Sequence, residues 1–279
     1  MSIDLDVDLC VTCYERTYRD VLSPGYWPRV VADQAYRFAR RTAIVNNVAD
    51  RAEAERRASA LVASGELDAW FFVEDGLASA LEVTGLAPAD LGRAPYFVDW
   101  GIVLVTVPGP DLVVHVDAEV TMSRRADWIS PSVALLERDP RVMVANPSWY
   151  ALTPRHDTLG RSTLERAGDF ALGLGFSDQV FLGRRSELAA PIYQQRCVAM
   201  RRYPMIAVSV SFEARIDAWI RHHGRLRATY RPAEYRHPDH IGDAYPQRRL
   251  HEKGSYVVNL ALLTAARLAP VKRRCWRGL

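Results

Sequence analysis

Lysine is almost missing from this chain. Of 36 basic residues only Lys253 and Lys272 are lysines, and the rest are arginines. That bias looks like GC-rich coding, so the arginines are not read as a chosen phosphate-binding surface. With 33 acidic residues the formal net charge is only +3, too small to suggest nucleic acid as a partner. No apolar run reaches the roughly 18 residues that would suggest a membrane span. The first residues, Met1 to Asp8, are acidic and lack the basic and apolar regions of a signal peptide, which leads to the expectation of a cytoplasmic protein. Cysteine is scarce too: Cys10, Cys13, Cys197 and Cys275. Cys10 and Cys13 form a Cys-x-x-Cys, but no second pair completes a zinc site, and Leu9 to Cys13 reads as a buried strand in which thiols act as small hydrophobes. Internal repeats, low-complexity tracts and disordered linkers are absent from the sequence, which excludes a repeat architecture.

What remains is an ordinary globular chain of 279 residues, 49% hydrophobic and 25% charged, long enough for a substantial core. Its first half alternates strands and helices. Residues 7–13 read as a strand and 28–40 as a helix, with Val30, Val31, Ala35 and Phe38 near helical spacing. Thr42 to Val45 is a second strand, followed by a charged helix from Arg51 to about Ser64. Ala69 to Val73 is an unbroken apolar run, expected to be a strand buried on both faces. Residues 77–84 are expected to be helical and 86–95 a loop. Such alternation argues for a parallel sheet with right-handed crossovers, whose ligands bind beyond the strands' carboxyl ends. Tyr14-Glu15, Asn46 to Asp50, Glu74-Asp75 and Asp117-Glu119 all fall at such ends.

The richest stretch is Leu112 to Val120, an apolar run ending in Asp117 and Glu119. Residues two apart on a strand share a face, so both carboxylates can approach one object. Paired acidic oxygens suit a hard cation, Mg²⁺ or Mn²⁺, which can neutralise a phosphate leaving group. His115 precedes Asp117 by two residues and is expected on the same face, either contacting the site or lying in the sheet interior with a hydrogen-bond partner.

These elements together resemble the nucleotide-sugar-dependent glycosyltransferases of the GT-A fold, particularly the large inverting family 2. The resemblance rests on Val11-Thr12-Cys13-Tyr14-Glu15-Arg16 as the opening strand and on Asp99-Trp100-Gly101 before the Val- and Leu-rich strand. It rests also on Asp117-x-Glu119 in place of an Asp-x-Asp motif. It departs at Asn46-Asn47, where the family carries paired Asp residues, and in lacking the following Gly. The resemblance implies an α/β fold of GT-A type, Rossmann-like, with a mainly parallel central sheet flanked by helices and an acceptor-side extension. Residues 1–120 would form the nucleotide-sugar half and 121–279 the acceptor half of one continuous domain. Nucleotide contacts would come from Cys13, Tyr14, Glu15, Asn47, Asp50, Asp75 and Asp99. The ion, Mn²⁺ or Mg²⁺, would be held by Asp117 and Glu119, with His237 or His240 returning from a later segment. Transfer would run from a nucleotide-diphosphate sugar donor to a hydroxyl acceptor (small molecule, lipid or glycan) with inversion.

In the second half, 128–139 reads as a helix, 142–146 as a strand, 175–182 as an acceptor-side strand and 188–196 as a helix. Pro147 to about Glu165 reads as an irregular connection. Phe212 to His223 forms an amphipathic helix that Ser211 can cap. An acid at the start of such a helix is the family's general base, so Glu213 is the first candidate, Asp217 the second and Asp178 a third. His222 and His223 are expected on its surface. Arg225 to Tyr230 is a further strand. Residues 255–268 form a last apolar helix before a basic tail, which could touch an anionic membrane surface or pack on the body. Two rival readings stay open. A sugar nucleotidyltransferase would carry a Gly-rich loop after its first strand, yet Arg16 to Tyr26 has only Gly25. A non-catalytic nucleotide-binding or scaffold protein is favoured by the missing Asp pair.

Overall fold

The computed structural model describes residues 6–149, 163–203, 206 and 209–237. The expected helix at 255–268, the basic tail, His240 and most of the connection after Trp149 lie outside the described residues. Every residue of β1 (Val7–Cys13) is buried. Val7, Leu9, Val11 and Cys13 enter one hydrophobic cluster and Cys10 the other, so the strand is covered on both faces. Cys10 and Cys13 therefore point to opposite sides of the sheet as free, buried thiols. They neither pair nor share a metal.

Two strands flank β1 in parallel, β2 (Arg40–Val45) on one side and β4 (Leu112–Asp117) on the other, while β3 (Ala69–Phe72) extends the sheet beyond β2. Between them run α1 (Tyr18–Val21), α2 (Tyr26–Gln34), α3 (Arg51–Ser64), α4 (Val73–Thr84) and α5 (Asp99–Thr106). The chain leaves β1 towards one edge and then crosses back to lay β4 on its other side. That reversal opens a crevice beyond the carboxyl ends of β1 and β4, the place where doubly wound sheets bind ligands. There follow β5 (Thr121–Met122), α6 (Ile129–Arg138), β6 (Val142–Trp149), β7 (Thr163–Ala167), β8 (Phe170–Gly173), β9 (Val180–Arg184), α7 (Arg185–Leu188), α8 (Phe212–His222) and β10 (Leu226–Arg236). The sheet order is β3-β2-β1-β4-β9-β6-β10-β8-β7, with β5 paired to β10. Seven strands run one way, and β5, β8 and β9 run against them. The α/β class and the mostly parallel sheet are as expected. Among the described residues no helix is long and apolar enough to cross a membrane.

Several local expectations need correcting. β3 is an edge strand with three half-exposed residues, not one buried on both faces. α2 starts at Tyr26 and stops at Gln34, because Ala35 takes a left-handed φ of 49°. β6 carries on through Pro147 to Trp149. The helix expected over 188–196 is absent: only α7 forms, and Pro191 disfavours helix at the residue before it. The β7–β8 hairpin and the reversed β9 were not anticipated, since strand direction leaves no mark on hydrophobic pattern.

The amino end of the sheet is closed by a buried ion pair. Asp8 Oδ2 lies 2.6 Å from Arg185 Nη2, and Thr42 Oγ1 donates to Asp8 Oδ1 at 2.9 Å. Arg185 Nε also donates to the Pro110 carbonyl at 3.0 Å and Nη1 to that of Leu104. One guanidinium thus ties β1, α5, α7 and the entry to β4. Removing one partner of such a pair leaves the other charge buried alone, at a cost of about 3–5 kcal/mol. Arg185→Ala is expected to lose stability in that range by urea unfolding; a loss below about 1 kcal/mol would mean water reaches Asp8.

Candidate functional site

The apolar strand β4 stops at Asp117 because that side chain turns the chain. Asp117 Oδ1 accepts the Glu119 N–H at 2.9 Å, and the Asp117 carbonyl accepts that of Val120 at 3.0 Å. Glu119 therefore lies in a turn, not on the strand. The two carboxylates converge through that turn rather than through a shared face of the pleat. β5 then pairs antiparallel with the end of β10, matching Met122 to Tyr235 and Thr121 to Arg236. This pairing delivers the next residue, His237, with Nε2 4.0 Å from Asp117 Oδ1. One ligand atom each from Asp117, Glu119 and His237 lies within 4.8 Å of the others. Donors around an octahedral ion at about 2.1 Å are spaced about 3 to 4.2 Å apart, so small side-chain shifts would close the set. Two carboxylate oxygens and an imidazole fit Mn²⁺ or Mg²⁺.

A third carboxylate approaches from β9. Because β9 runs against β4, its first residue Val180 pairs with Val116, and the Asp117 N–H donates to the Gln179 carbonyl at 2.8 Å. Asp178 is thereby held beside Asp117. Burial pushes the Asp178 carboxyl up to about 7, and the charge of Asp117 adds to the effect. Burial raises Asp117 as well, against the Glu119 N–H and His237, which favour its charged form. The Tyr14 phenol is raised by burial and by the carboxylates of Glu119 and Asp117, while Arg16 acts the other way. Tyr14 and Arg16 thus stand at the same crevice.

The end of β10 adds a polar cluster that the sequence did not reveal. Tyr235 is buried, with its hydroxyl 3.1 Å from Ser177 Oγ and donating to Gln179 Oε1 at 3.2 Å. Burial raises its phenol, and the charges of Glu213 and Asp178 act in the same sense. Glu213 sits in the first turn of α8, where Ser211 Oγ accepts the Ala214 N–H at 3.2 Å, and from there its charge reaches the Tyr235 phenol. α8 can come this close because Gly101 has no side chain: a Cβ there would lie 2.5 Å from the Phe212 ring. Asp217, one turn on, is fully buried, and Arg221 Nε donates to its Oδ1 at 2.8 Å. That placement makes Asp217 part of an internal ion pair, out of reach of an acceptor hydroxyl.

The remaining candidates divide. Cys13 is 1% exposed in the core. Asp50 caps α3 by accepting the Glu53 N–H at 2.8 Å, and Asp75 is paired with Arg51. Asp99 is buried at the start of α5, accepting from Asn46 Nδ2 at 3.0 Å and from the Trp100 N–H at 2.6 Å. Asn46 thus fastens the end of β2 to α5. Glu15 accepts the Ala49 N–H at 2.7 Å, drawing the ends of β1 and β2 together. Asn47 is exposed with φ 49°. Tyr14, Glu15 and Asn47 therefore edge the crevice, while Cys13, Asp50 and Asp75 are engaged in the scaffold. His115 takes the interior position: it is fully buried, with Nε2 2.9 Å from Thr12 Oγ1 and its ring centroid 4.7 Å from Trp100 and 5.3 Å from Phe181. Burial lowers it to about 3, so it is neutral.

No family model matches the chain, and no curated protein matches it. Among solved structures, it is similar to glucosyl-3-phosphoglycerate synthase from Mycobacterium tuberculosis in complex with Mn²⁺, uridine-diphosphate-glucose and phosphoglyceric acid. That match covers 96% of this chain and 82% of the other, at 13% identity and a TM-score of 0.47. It is also similar to GalNAc-T7 with UDP, GalNAc and Mn²⁺, over 84% of this chain and 44% of that one, at 12% identity and a TM-score of 0.44. Mouse xyloside xylosyltransferase 1 matches over 80% and 84% of the two chains, at 12% identity and a TM-score of 0.42. Likenesses of this size concern the course of the chain and say nothing of ligand or reaction.

The raised Asp178 carboxyl gives a pH signature. Its folded value near 7 lies above the unfolded one near 4, so the folded protein binds more protons in that window. Its contribution to stability is therefore present at low pH and is lost as pH rises from about 4 to 7. In metal-free protein Asp178→Asn is expected to raise the melting temperature by a few degrees at pH 8 and hardly at all at pH 4. A decrease at pH 8 would mean the ionised carboxylate is already compensated.

Proposed function

We propose that this chain is a metal-dependent glycosyltransferase of GT-A type, moving a sugar from a nucleotide-diphosphate donor to a hydroxyl acceptor. The observation that supports this most is the convergence of Asp117, Glu119 and His237 at the sheet's switch point, where a diphosphate would lie. A bound divalent cation supplies neutralisation of the charge that builds on the diphosphate leaving group. Asp117 and Glu119 offer it carboxylate oxygens, and His237 offers Nε2 in the neutral imidazole form. Tyr14, Glu15 and Asn47 border the donor's side of the crevice. Glu213, at the helix start, takes the proton from the acceptor hydroxyl as its oxygen attacks the anomeric carbon. A single displacement of this kind inverts the sugar. Inversion is carried from the family resemblance; a cytoplasmic setting and an acceptor that is a small molecule, lipid or glycan are further parts of the proposal.

The test is turnover with a panel of nucleotide-diphosphate sugars and Mn²⁺, with product analysis. Release of nucleoside diphosphate with a new glycoside is expected; pyrophosphate release would mark a nucleotidyltransferase instead. Glu213→Gln is expected to lower kcat by about 10²- to 10⁴-fold with an unchanged melting temperature. Asp217→Asn, by contrast, is expected to act on stability. If the two variants behave alike, Glu213 is not the base. Absence of any nucleotide binding with metal would move the reading to a non-catalytic protein of the same fold.

A further inference from the structure

Several acids at the carboxyl end of this sheet are met by a donor. Asp117 accepts the Glu119 N–H, Asp99 accepts from Asn46 Nδ2 and the Trp100 N–H, and Glu15 accepts the Ala49 N–H. Asp178 is different. Its carboxylate is half-buried, and among the described residues no side chain or N–H of another residue donates to it. The charge that acts on it is that of Asp117, which is of the same sign. A carboxylate drawn partly out of water without a donor costs free energy until something supplies one.

The fold nevertheless holds Asp178 in that place, because both its neighbours are fastened. The Gln179 carbonyl accepts the Asp117 N–H at 2.8 Å. The Tyr235 hydroxyl donates to Gln179 Oε1 at 3.2 Å and lies 3.1 Å from Ser177 Oγ. Val180 then enters β9 opposite Val116. Residues 177–179 are thus tied to β4 at one end and to β10 at the other, with Asp178 in the middle.

That position says what can supply the donor. On one side lies Asp117, in the proposed cation site. On the other lies Tyr235, whose phenol feels the charges of both Glu213 and Asp178. In a transfer the diphosphate rests on the cation and the acceptor hydroxyl on the base, so the sugar being moved bridges the two. Asp178 stands outside the three groups whose ligand atoms converge within 4.8 Å, and so outside the ion's own set. A diphosphate would repel its carboxylate. A sugar hydroxyl is a neutral donor, and two adjacent hydroxyls can satisfy both carboxylate oxygens.

We propose that Asp178 is a donor-specificity residue, its carboxylate accepting hydrogen bonds from hydroxyls of the sugar that is transferred. This rests on the glycosyltransferase reading and adds to it the group that reads the sugar. The test is calorimetric titration at saturating Mn²⁺ into the full chain and its Asp178→Ala variant. The probes are UDP, GDP, ADP and TDP, the glucose conjugate of each, UDP-galactose and GDP-mannose. The nucleotide sugar that the unaltered protein binds is expected to bind at least tenfold more weakly to the variant. The corresponding diphosphate is expected to bind no more weakly, since a like charge has been removed. Asp178→Asn, which keeps one acceptor oxygen, is expected to lose less than Asp178→Ala. A melting temperature of Asp178→Ala at pH 8 no lower than that of the unaltered protein confirms its fold. A diphosphate weakened as much as its sugar conjugate would make Asp178 part of the cation site and overturn the proposal. Equal affinity of the conjugate for both proteins would overturn it too, and in either case the transferase reading stands. If neither diphosphates nor conjugates bind the unaltered protein, the transferase reading fails and this role falls with it.

Discussion

Carboxylates held close together repel one another, and the end of β4 gathers three of them: Asp117, Glu119 and Asp178. The upward shifts of Asp117 and Asp178 come first from burial, and a neighbouring carboxylate adds to each, Glu119 for Asp117 and Asp117 for Asp178. The opposite end of the same sheet shows the other outcome. There Asp8 is fully buried, yet Arg185 and Thr42 answer it completely. One end of the sheet is thus electrostatically closed and the other is left in need of positive charge. The carboxylate end is the one on which the proposed cation site rests.

That arrangement depends on two strands that break the parallel pattern. β9 runs against β4, so the loop before it, and not the loop after it, reaches the carboxyl end. β5 is only two residues long, but its pairing with β10 brings His237 across from Asp117. Gly101 then admits Phe212, which seats α8 with Glu213 at its first turn. Elements far apart in sequence therefore meet at one point because sheet registry and one missing side chain place them there.

How much of this was legible in the sequence follows from which forces are local. The helix from Arg51 to Ser64 was legible end to end, because Asp50 caps its start and Gly65, with φ 76°, ends it. Asp117 and Glu119 were legible as a pair, though for the wrong geometric reason, since a turn rather than the pleat brings them together. His237 entered only through the family resemblance: its approach depends on a pairing between residues 121 and 236 that no local pattern encodes. Asp217 stood second to Glu213 as a base candidate, and only the fold shows it buried and paired with Arg221. Tyr235 and Gln179 had no signal, because a tyrosine in a strand reads as ordinary core.

The central claim of the proposed function is that Asp117 at the end of β4 and Glu119 in the turn after it bind a cation that is shared with a diphosphate. The most direct measurement is Mn²⁺ affinity with and without UDP, GDP, ADP or TDP, by electron paramagnetic resonance of free Mn²⁺. If ion and diphosphate share one site, each strengthens the other by the same factor. One Mn²⁺ is expected to bind, at least tenfold more tightly in the presence of one of these nucleotides and more weakly at pH 5.5 than at pH 7.5. Mn²⁺ affinity that none of the four nucleotides changes, or no binding at all, would contradict the claim.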